Sequence, residues 1–333
     1  MSPRIGGAAV ERGLHLARAV ERFRTMCLIR AFEEAMLERR RAREVVGPVH
    51  PCIGQEAVAT GVCEPLGERD LLVTNYRGHG HAIARGVNLR RFAAELFGRR
   101  DGVCGGVAAG HFCDPQTRIL AASGIVAGGI PLGAGAAMSA QIRGTGAVVV
   151  CILGDGAMGA GVVHEVLNIA AAQRLPLVLV CEHNLYQSGT RTEEVVPDLD
   201  LTRVAAGHRV PAASVDGNAV DDVATATAGA VARARAGEGP AFLEMRTYLT
   251  RFHIQLDVPS NERRPREELA QWLARDPLRA ARDRAVLAGA EPGVLDAIPG
   301  VVQAEVDGAI EWARASAAPG PADLWRDPAG GAR

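Results

Sequence analysis

AVVVCILGDGAMGAGVVHEVLNIAAAQRLPLVLVCEHNLYQSG, residues 147–189, contains two apolar runs separated by a segment of helical composition. The first run ends at Leu153, and the second extends from Pro176 to Cys181. Short apolar runs bounded by glycine or proline are typical of strands that are buried on both faces of a parallel sheet. A strand, a helix and a second strand in succession form a βαβ unit. We therefore predict an α/β fold built on a doubly wound parallel sheet.

Two polar residues stand where these predicted strands end. Asp155, within Gly154-Asp155-Gly156, follows the first strand, and Asn184 follows the second. Because ligands of open parallel sheets bind at the carboxyl ends of the strands, both side chains are expected to face one crevice. A carboxylate, an amide oxygen and a nearby backbone carbonyl are oxygen ligands that suit Mg²⁺. The glycines allow a diphosphate to approach the N-terminus of the next helix, so the pattern predicts a magnesium diphosphate site.

Each half of this pattern also has a structural explanation. Gly-Asp-Gly is a common turn, and asparagine is a common cap at the end of a strand. A dinucleotide-binding fingerprint is another alternative, because Gly154, Gly156 and Gly159 fit its glycine spacing. That fingerprint places an acidic residue about 20 positions further on, and Glu182 comes too late to fit it. The two halves at their observed spacing favour the magnesium site.

The rest of the chain has recognisable patterns of secondary structure. Apolar spacing predicts a long amphipathic helix over 10–44 and shorter helices over 54–61 and 90–98. Strands are expected over 70–74 and 240–248, and a loop followed by a helix over 119–142. Helices are expected after Pro259, followed by a mobile tail from Pro319. We predict an N-terminal helical segment over 1–50, an α/β domain over 51–258, and C-terminal helices with the tail over 259–333.

Composition excludes several classes of function. The net charge of −1 argues against nucleic-acid binding, which requires a basic excess. All 37 basic residues are arginine, so the chain has no lysine for a Walker motif or a Schiff base. Seven cysteines without a C-x-x-C pair suit a reducing compartment, and the N-terminus has no apolar run of a secretory signal. The uncharged stretch 119–142 is rich in glycine and favours tight packing over a membrane span. We therefore expect a cytoplasmic protein that binds neither nucleic acid nor membrane.

Further motifs extend the pattern over nearly the whole chain. They are IGQEA at 53–57, YRGHGHAIARG at 76–86, GIVAGGIPLGAGAA at 124–137, ARAGEGPAFLE at 234–244 and WLARDP at 272–277. Together with Asp155 and Asn184, they resemble the alpha subunits of thiamin-diphosphate-dependent 2-oxo acid and acetoin dehydrogenases, the pyruvate dehydrogenase type of alpha subunit. HGHA and CGG (104–106) are closer to the acetoin type. The resemblance implies the thiamin-diphosphate-binding fold with a helical C-terminal extension, and places the cofactor in the domain over 51–258.

The resemblance also implies a set of ligands for thiamin diphosphate and Mg²⁺. Metal ligands would be Asp155, Asn184 and the carbonyl of Tyr186. The cofactor itself would be bound by Gly154, Gly156, Ala157, Tyr76 and Arg77 at the diphosphate and by the backbone of Gly124 and Val126 at the aminopyrimidine. A phenol donor and a permanently charged guanidinium suit diphosphate oxygens.

Three histidines correspond to site histidines of the family. His253, in RFHIQLD, matches a loop histidine next to the reacting carbon, where it could stabilise or protonate a carbonyl-derived oxygen. His50 and His79 match histidines near substrate and cofactor. The structural alternative is an ordinary loop histidine for His253, and a satisfied structural hydrogen-bond donor for His50 and His79.

The chain departs from the family at several positions. Leu249 stands where the family has an arginine, and Phe252 stands where it has a glycine before the loop histidine. We expect Arg251 to replace the missing arginine at the cofactor phosphate; the alternative is that this contact is absent. His183 replaces the first asparagine of the family's Asn-Asn pair. These changes leave the proposed metal ligands intact.

The resemblance implies that this chain supplies half of an active site. The glutamate that activates the cofactor would come from a beta subunit in an α₂β₂ heterotetramer. The assembly would cleave a 2-oxo acid or acetoin and pass the acyl unit to a lipoyl carrier, with a lipoyl acyltransferase as a further partner. The alternatives are the cofactor-binding half of a split transketolase or acyloin-forming enzyme of specialised metabolism, and a non-catalytic regulatory paralogue.

Overall fold

The computed structural model describes residues 5–254 and 264–325. Within them the helices are α1 (Ile5–Arg41), α2 (Glu56–Cys63), α3 (His79–Ala84), α4 (Leu89–Leu96), α5 (Gly129–Ile142), α6 (Gly161–Gln173), α7 (Thr202–Gly207), α8 (Val220–Arg235), α9 (Arg266–Ala274), α10 (Pro277–Leu287) and α11 (Pro292–Ala315). The strands are β1 (Leu71–Asn75), β2 (Ile119–Ser123), β3 (Val149–Gly154), β4 (Leu177–His183), β5 (Tyr186–Gln187), β6 (Thr190–Arg191), β7 (Ala212–Asp216) and β8 (Ala241–Arg246). Short 3₁₀ helices cover Asp155–Ala157, Thr192–Glu194 and Pro321–Trp325.

Six strands form one parallel sheet in the order β2-β1-β3-β4-β8-β7. β5 and β6 form a separate antiparallel hairpin directly after β4. In the centre of the sheet, Val149 pairs with Leu177 and Gly154 pairs with Glu182. This register ends β3 and β4 side by side, so that Asp155 and Asn184 emerge at the same edge. The predicted doubly wound α/β fold is confirmed.

Alternate residues of the central strands belong to two separate cores, one on each face of the sheet. Val150 and Ile152 of β3 pack in the core that also contains α1, α2 and α8. Cys151 and Leu153 pack in the core under α5 and α6. α5 lies so close to β3 that a Cβ atom on Gly133 would come within 1.9 Å of Cys151 Sγ. Burial on both faces explains why β3 and β4 are apolar at nearly every position.

The C-terminal helices extend the layer of helices that contains α1, α2 and α8. α10 and α11 pack against the long helix α1, and ion pairs from Arg30 to Asp276 and from Arg24 to Glu305 join these helices at 3.2 Å and 2.8 Å. Among the described helices, none combines the length and the apolar character that crossing a bilayer requires. The helical extension that the sequence predicts is present, because α10 and α11 pack on α1 at the outside of the α/β core.

Several predicted elements differ from the observed ones. The predicted loop at the start of 119–142 is wrong for its first five residues, which form β2. The sequence patterns do not predict β7 or α8. For β7 the reason is that it is an exposed edge strand with little apolar pattern. The predicted boundary at 258/259 lies outside the described residues, as does 326–333 of the predicted mobile tail. The three-part division of the chain remains a prediction.

Candidate functional site

The carboxyl ends of β1, β3 and β4 surround a cavity of about 270 Å³, which we name the strand-end cavity. Predicted site residues that line it are Tyr76, Arg77, Val126, Gly154, Asp155, Gly156, Ala157, Asn184, Tyr186 and His253. Crevices at the carboxyl edge of a parallel sheet are the usual ligand sites of such folds. The structure thus brings ten separately predicted residues around one space.

Asp155 begins the 3₁₀ turn after β3 and is 2% exposed. Its Oδ1 accepts a hydrogen bond from the Gly156 amide at 2.9 Å, and its Oδ2 accepts one from the Thr192 hydroxyl. Burial raises the pKa of Asp155, although these hydrogen bonds and His183 oppose the shift. A buried carboxylate with so few donors gains from a cation beside it.

Asn184 and Tyr186 follow β4 on a turn in which Leu185 has a φ of 73°. This left-handed backbone turns the chain sharply, and few residues adopt it without support from their surroundings. The Asn184 amide donates from Nδ2 to Gln55 Oε1 at 3.2 Å, and its Oδ1 accepts from the Tyr186 backbone amide at 3.3 Å. The Asn184 oxygen therefore faces the turn that carries the Tyr186 backbone, beside Asp155 in the cavity lining.

Among the described residues near this edge, the buried His183 Nε2 has no hydrogen-bond partner. Glu182 Oε1 also lacks a close one, with His81 Nε2 at 3.8 Å. Burial raises the pKa of Glu182, which lines the cavity, to about 7. His183 Nε2 lies 4.0 Å from Asp155 Oδ2, while its Nδ1 donates to Glu244 at 2.7 Å. Unsatisfied buried polar atoms mark a place where a polar ligand or ion fits.

The ligand set also has the chemistry that Mg²⁺ requires. It offers a carboxylate, an amide oxygen and a backbone carbonyl. In the part of the chain that the structure describes, no cluster of three or more His, Cys, Asp or Glu side chains forms a metal site. Gly154 has open space where a Cβ would stand, which leaves room in the cavity. The residues present therefore fit Mg²⁺ together with a diphosphate group.

Arg77 connects this cavity to the loop histidine and is only 3% exposed. Its Nη1 donates to the carbonyl of Pro51 at 2.7 Å and to that of His253 at 3.2 Å. Its Nη2 donates to His253 Nδ1 at 3.1 Å. The Tyr76 ring lies beside it, with the Arg77 guanidinium 5.8 Å from the ring centroid.

The hydrogen bond from Arg77 fixes the protonation of His253. Burial, reinforced by the Arg77 charge, lowers the pKa of His253 to about 4, so the ring is neutral near pH 7. A guanidinium can only donate, so Nδ1 accepts and the proton of the neutral ring is on Nε2. This assignment follows from the hydrogen-bond network. His253 therefore presents Nε2–H as a neutral donor.

His50 lies next to this pair, outside the cavity lining. Its ring centroid is 4.5 Å from that of Tyr76 and 5.4 Å from that of His253. Burial, and then the charge of Arg77, lowers the pKa of His50 to about 3. The structure thus groups two neutral histidines and a tyrosine at one end of the strand-end cavity.

The other predicted site residues are not themselves part of the lining. His79 donates from Nδ1 to the buried Glu33 at 3.0 Å, and Glu33 accepts the Cys52 amide at 2.9 Å. Gly124 lies between the lining residues Ser123 and Ile125, so close to another histidine that a Cβ there would be 2.5 Å from His111. Arg251 is about half exposed and pairs with Glu34 at 3.4 Å, outside the lining.

Among the residues of this site that sequence reasoning did not assign to it, two bear on its chemistry. Glu182 lines the cavity, and its position at the end of the apolar run of β4 was a usable signal. The hydroxyl of Thr192 contacts Asp155 across 37 positions, and its surroundings in the sequence, TRTEEV, have no pattern that indicates this contact.

Comparisons with known proteins show which family the chain belongs to. The family described as "Dehydrogenase E1 component" matches residues 24–322. The alpha subunit of acetoin:2,6-dichlorophenolindophenol oxidoreductase from Bacillus subtilis is 38% identical over 242 residues, 72% of this chain and 73% of that protein. The subunit of the same name from Cupriavidus necator is 35% identical over 92% of both chains. The pyruvate dehydrogenase E1 component subunit alpha of Zymomonas mobilis is 34% identical over 92% of this chain and 87% of that protein.

The family match spans all strands of the described α/β core and the C-terminal helices α9 to α11. Each of the three relatives is named as an alpha subunit, which implies a beta partner. The family uses thiamin diphosphate. This chain therefore belongs to the dehydrogenase E1 component family, in which it is an alpha subunit of a thiamin-diphosphate-dependent oxidoreductase.

Proposed function

We propose that the strand-end cavity binds Mg²⁺ and the diphosphate of thiamin diphosphate. Asp155, Asn184 and the Tyr186 carbonyl would hold the cation, because they supply three hard oxygen ligands at one sheet edge. The observation that carries the proposal is the buried Asp155 carboxylate, whose pKa burial raises, in a cavity that Asn184 and Tyr186 also line. A cation would offset the cost of burying that charge.

Other residues would hold the rest of the cofactor. Gly156 and Ala157 would offer backbone amides to diphosphate oxygens near Gly154, and Tyr76 and Arg77, which also line the cavity, would be further donors. The backbone of Gly124 and Val126 would hold the aminopyrimidine. When bound, the thiazolium supplies an electron sink for cleavage of the bond beside a carbonyl group.

The histidines would handle the substrate. Nε2–H of His253 would donate a hydrogen bond to the oxygen of the reacting carbonyl, since Arg77 keeps Nδ1 as an acceptor. His50 would be a second neutral group beside it. His79 would act through Glu33, which holds the Cys52 amide and so the backbone after His50.

We further propose that the chain works with a beta subunit in an α₂β₂ heterotetramer in the cytoplasm. That subunit would supply the glutamate that activates the cofactor, and the substrate would be a 2-oxo acid or acetoin. The acyl unit would pass to a lipoyl carrier on an acyltransferase.

A split transketolase or acyloin-forming enzyme would share the same cofactor ligands. The departure at Leu249 favours such a specialised relative, because Leu249 is buried and Arg251 lies outside the cavity lining. A non-catalytic paralogue is disfavoured by the intact set Asp155, Asn184 and His253.

The proposal is tested by expressing the chain alone and together with its beta subunit. The pair is expected to sediment as a heterotetramer, to bind thiamin diphosphate only with Mg²⁺ in calorimetry, and to lose that binding with a chelator. The chain alone is expected to be inactive with pyruvate and acetoin. Turnover by the purified lone chain would contradict the half-site argument.

A further inference from the structure

Glu268, in the first turn of α9, joins two loops that end at the strand-end cavity. Its Oε1 accepts hydrogen bonds from the hydroxyls of Tyr186 and Tyr248, each at 2.8 Å. Its Oε2 accepts a hydrogen bond from Arg191. The Glu268 side chain is 18% exposed. A carboxylate with three donors, one of them a guanidinium, has a well-defined position.

Aromatic packing makes this contact part of a rigid unit. The Tyr186 and Tyr248 rings meet edge to face, with centroids 6.1 Å apart. Tyr248 also stacks on Trp272 of α9, at 5.3 Å and an angle of 6°. Arg264 lies over both tyrosine rings. α9 therefore contacts both tyrosines through a carboxylate and a flat indole surface.

The first loop that Glu268 holds is the β5–β6 hairpin. At its start, the Tyr186 amide donates to Asn184 Oδ1, and Tyr186 lines the cavity. At its end, Arg191 directly precedes Thr192, whose hydroxyl donates to Asp155. Glu268 thus binds both ends of the hairpin. One end contacts Asn184 through the Tyr186 amide, and the other leads into Thr192, which contacts Asp155.

The second is the segment from Tyr248 to His253. Beyond Tyr248, the Thr250 amide donates to the Ile53 carbonyl at 2.9 Å, and three residues later His253 meets Arg77. The Tyr248 hydroxyl is anchored to Glu268 where this segment leaves β8. Both tyrosine hydroxyls therefore donate to one carboxylate oxygen, which ties this segment to the β5–β6 hairpin.

We propose that Glu268 is a positioning residue that fixes the β5–β6 hairpin and the Tyr248–His253 segment relative to each other. Cation affinity and the placement of His253 would then both depend on a side chain outside the cavity lining. The inference rests on the proposed function of the cavity, since it concerns the same Asp155 and Asn184 ligands.

The test compares Glu268→Gln with Glu267→Gln in the co-expressed two-subunit assembly. Glu267 is the exposed neighbour on the same turn and serves as the matched control. Affinity for Mg²⁺ at saturating thiamin diphosphate is measured by tryptophan fluorescence, together with the thermal midpoint. We expect about tenfold weaker Mg²⁺ binding in Glu268→Gln, the size expected for a lost charge-assisted contact. Glu267→Gln should bind like the unaltered assembly.

Two single-hydroxyl variants separate the two loops. Tyr186→Phe should weaken Mg²⁺ binding, whereas Tyr248→Phe should leave it nearly unchanged and lower kcat. Tyr186→Phe should also add little to Glu268→Gln, because both remove the same contact. Additive losses in that double variant would overturn the proposal.

Equal Mg²⁺ affinity in Glu268→Gln and Glu267→Gln would also overturn it. A third outcome would overturn it as well: Glu268→Gln has a lowered thermal midpoint, but Tyr186→Phe and Tyr248→Phe both bind Mg²⁺ and turn over normally. Glu268 would then only stabilise the fold. The Asp155→Asn variant distinguishes failure of the positioning role of Glu268 from failure of the proposed function of the cavity. If Asp155→Asn keeps Mg²⁺-dependent binding, the proposed cavity function fails, whereas if it loses binding and Glu268→Gln does not, only the positioning role fails.

Discussion

Replacing Asp155 by asparagine should change the apo and the ligand-bound protein in opposite directions. The substitution removes one charge and keeps the shape of the side chain. Oδ1 still accepts from Gly156, at 2.9 Å in the unaltered chain, and the Thr192 hydroxyl can rotate to accept from the new amide. Because burial raises the pKa of Asp155, the ionised side chain is costly to bury when no cation is present. The apo variant is therefore expected to be at least as stable as the apo protein.

The ligand-bound protein should show the opposite effect. Mg²⁺ and thiamin diphosphate at 100 times their dissociation constant stabilise a binding protein by about 2.7 kcal/mol. A chain of 333 residues has an unfolding entropy of roughly 0.7 kcal/mol per kelvin, so the midpoint should rise by about 4 °C. Asp155→Asn should lose most of this rise, because a carboxylate ligand of the cation is gone.

Differential scanning calorimetry of the co-expressed assembly measures both effects, with and without Mg²⁺ and cofactor. Asp307→Asn, an exposed substitution on α11, is the matched control and should keep the full rise. A full ligand-induced rise in Asp155→Asn would refute the assignment of the metal site. A fall of more than about 2 °C in the apo variant would refute the reasoning on buried charge.

Three other predictions concern His253 and the buried Glu95. His253→Ala should leave cofactor affinity nearly unchanged and lower the single-turnover rate by roughly 10² to 10⁴. The control Arg251→Ala, which removes a contact to Glu34 outside the cavity lining, should alter neither quantity. Loss of cofactor affinity in His253→Ala would show that the histidine is structural. The pKa of an unfolded histidine is about 6.5, whereas burial lowers that of folded His253 to about 4. As the pH drops, the unfolded chain therefore binds a proton at a higher pH than the folded chain does. The free energy of unfolding then falls between about pH 6.5 and pH 4. Urea unfolding at pH 7 and pH 5 should show a smaller fall in His253→Gln, and an equal fall would contradict the lowered pKa. Glu95 is fully buried and accepts backbone hydrogen bonds from Cys104, Gly106, Ala108 and Ala109. Glu95→Gln should therefore lower the free energy of unfolding, measured with denaturant, by roughly 2 to 4 kcal/mol. A loss below about 0.5 kcal/mol would show that water replaces these contacts.

The proposed cation ligands could be predicted from the sequence because local patterns place them. Asp155 and Asn184 each follow an apolar strand, and parallel strands that neighbour each other end at one edge. The pairing of Gly154 with Glu182 confirms that arrangement of β3 and β4. Edge strand β7 could not be predicted in this way, because it is exposed along most of its length and pairs only with β8 in the sheet. Its pairing with β8, rather than its own apolar pattern, makes it a strand.

The sequence by itself determined the α/β class, the two central strands and the acid and amide at their ends, because burial on both faces requires apolar runs whose ends are polar. Only the tertiary structure placed His253 against Arg77, 176 positions away, and Glu268 against Tyr186, 82 positions away. Such contacts depend on how loops pack after the sheet has formed, and each involves a single side chain with no periodic pattern around it. The same is true of the lowered pKa of His253 and the raised pKa of Asp155. Both shifts arise chiefly from burial, which exists only when distant segments of the chain enclose the side chain.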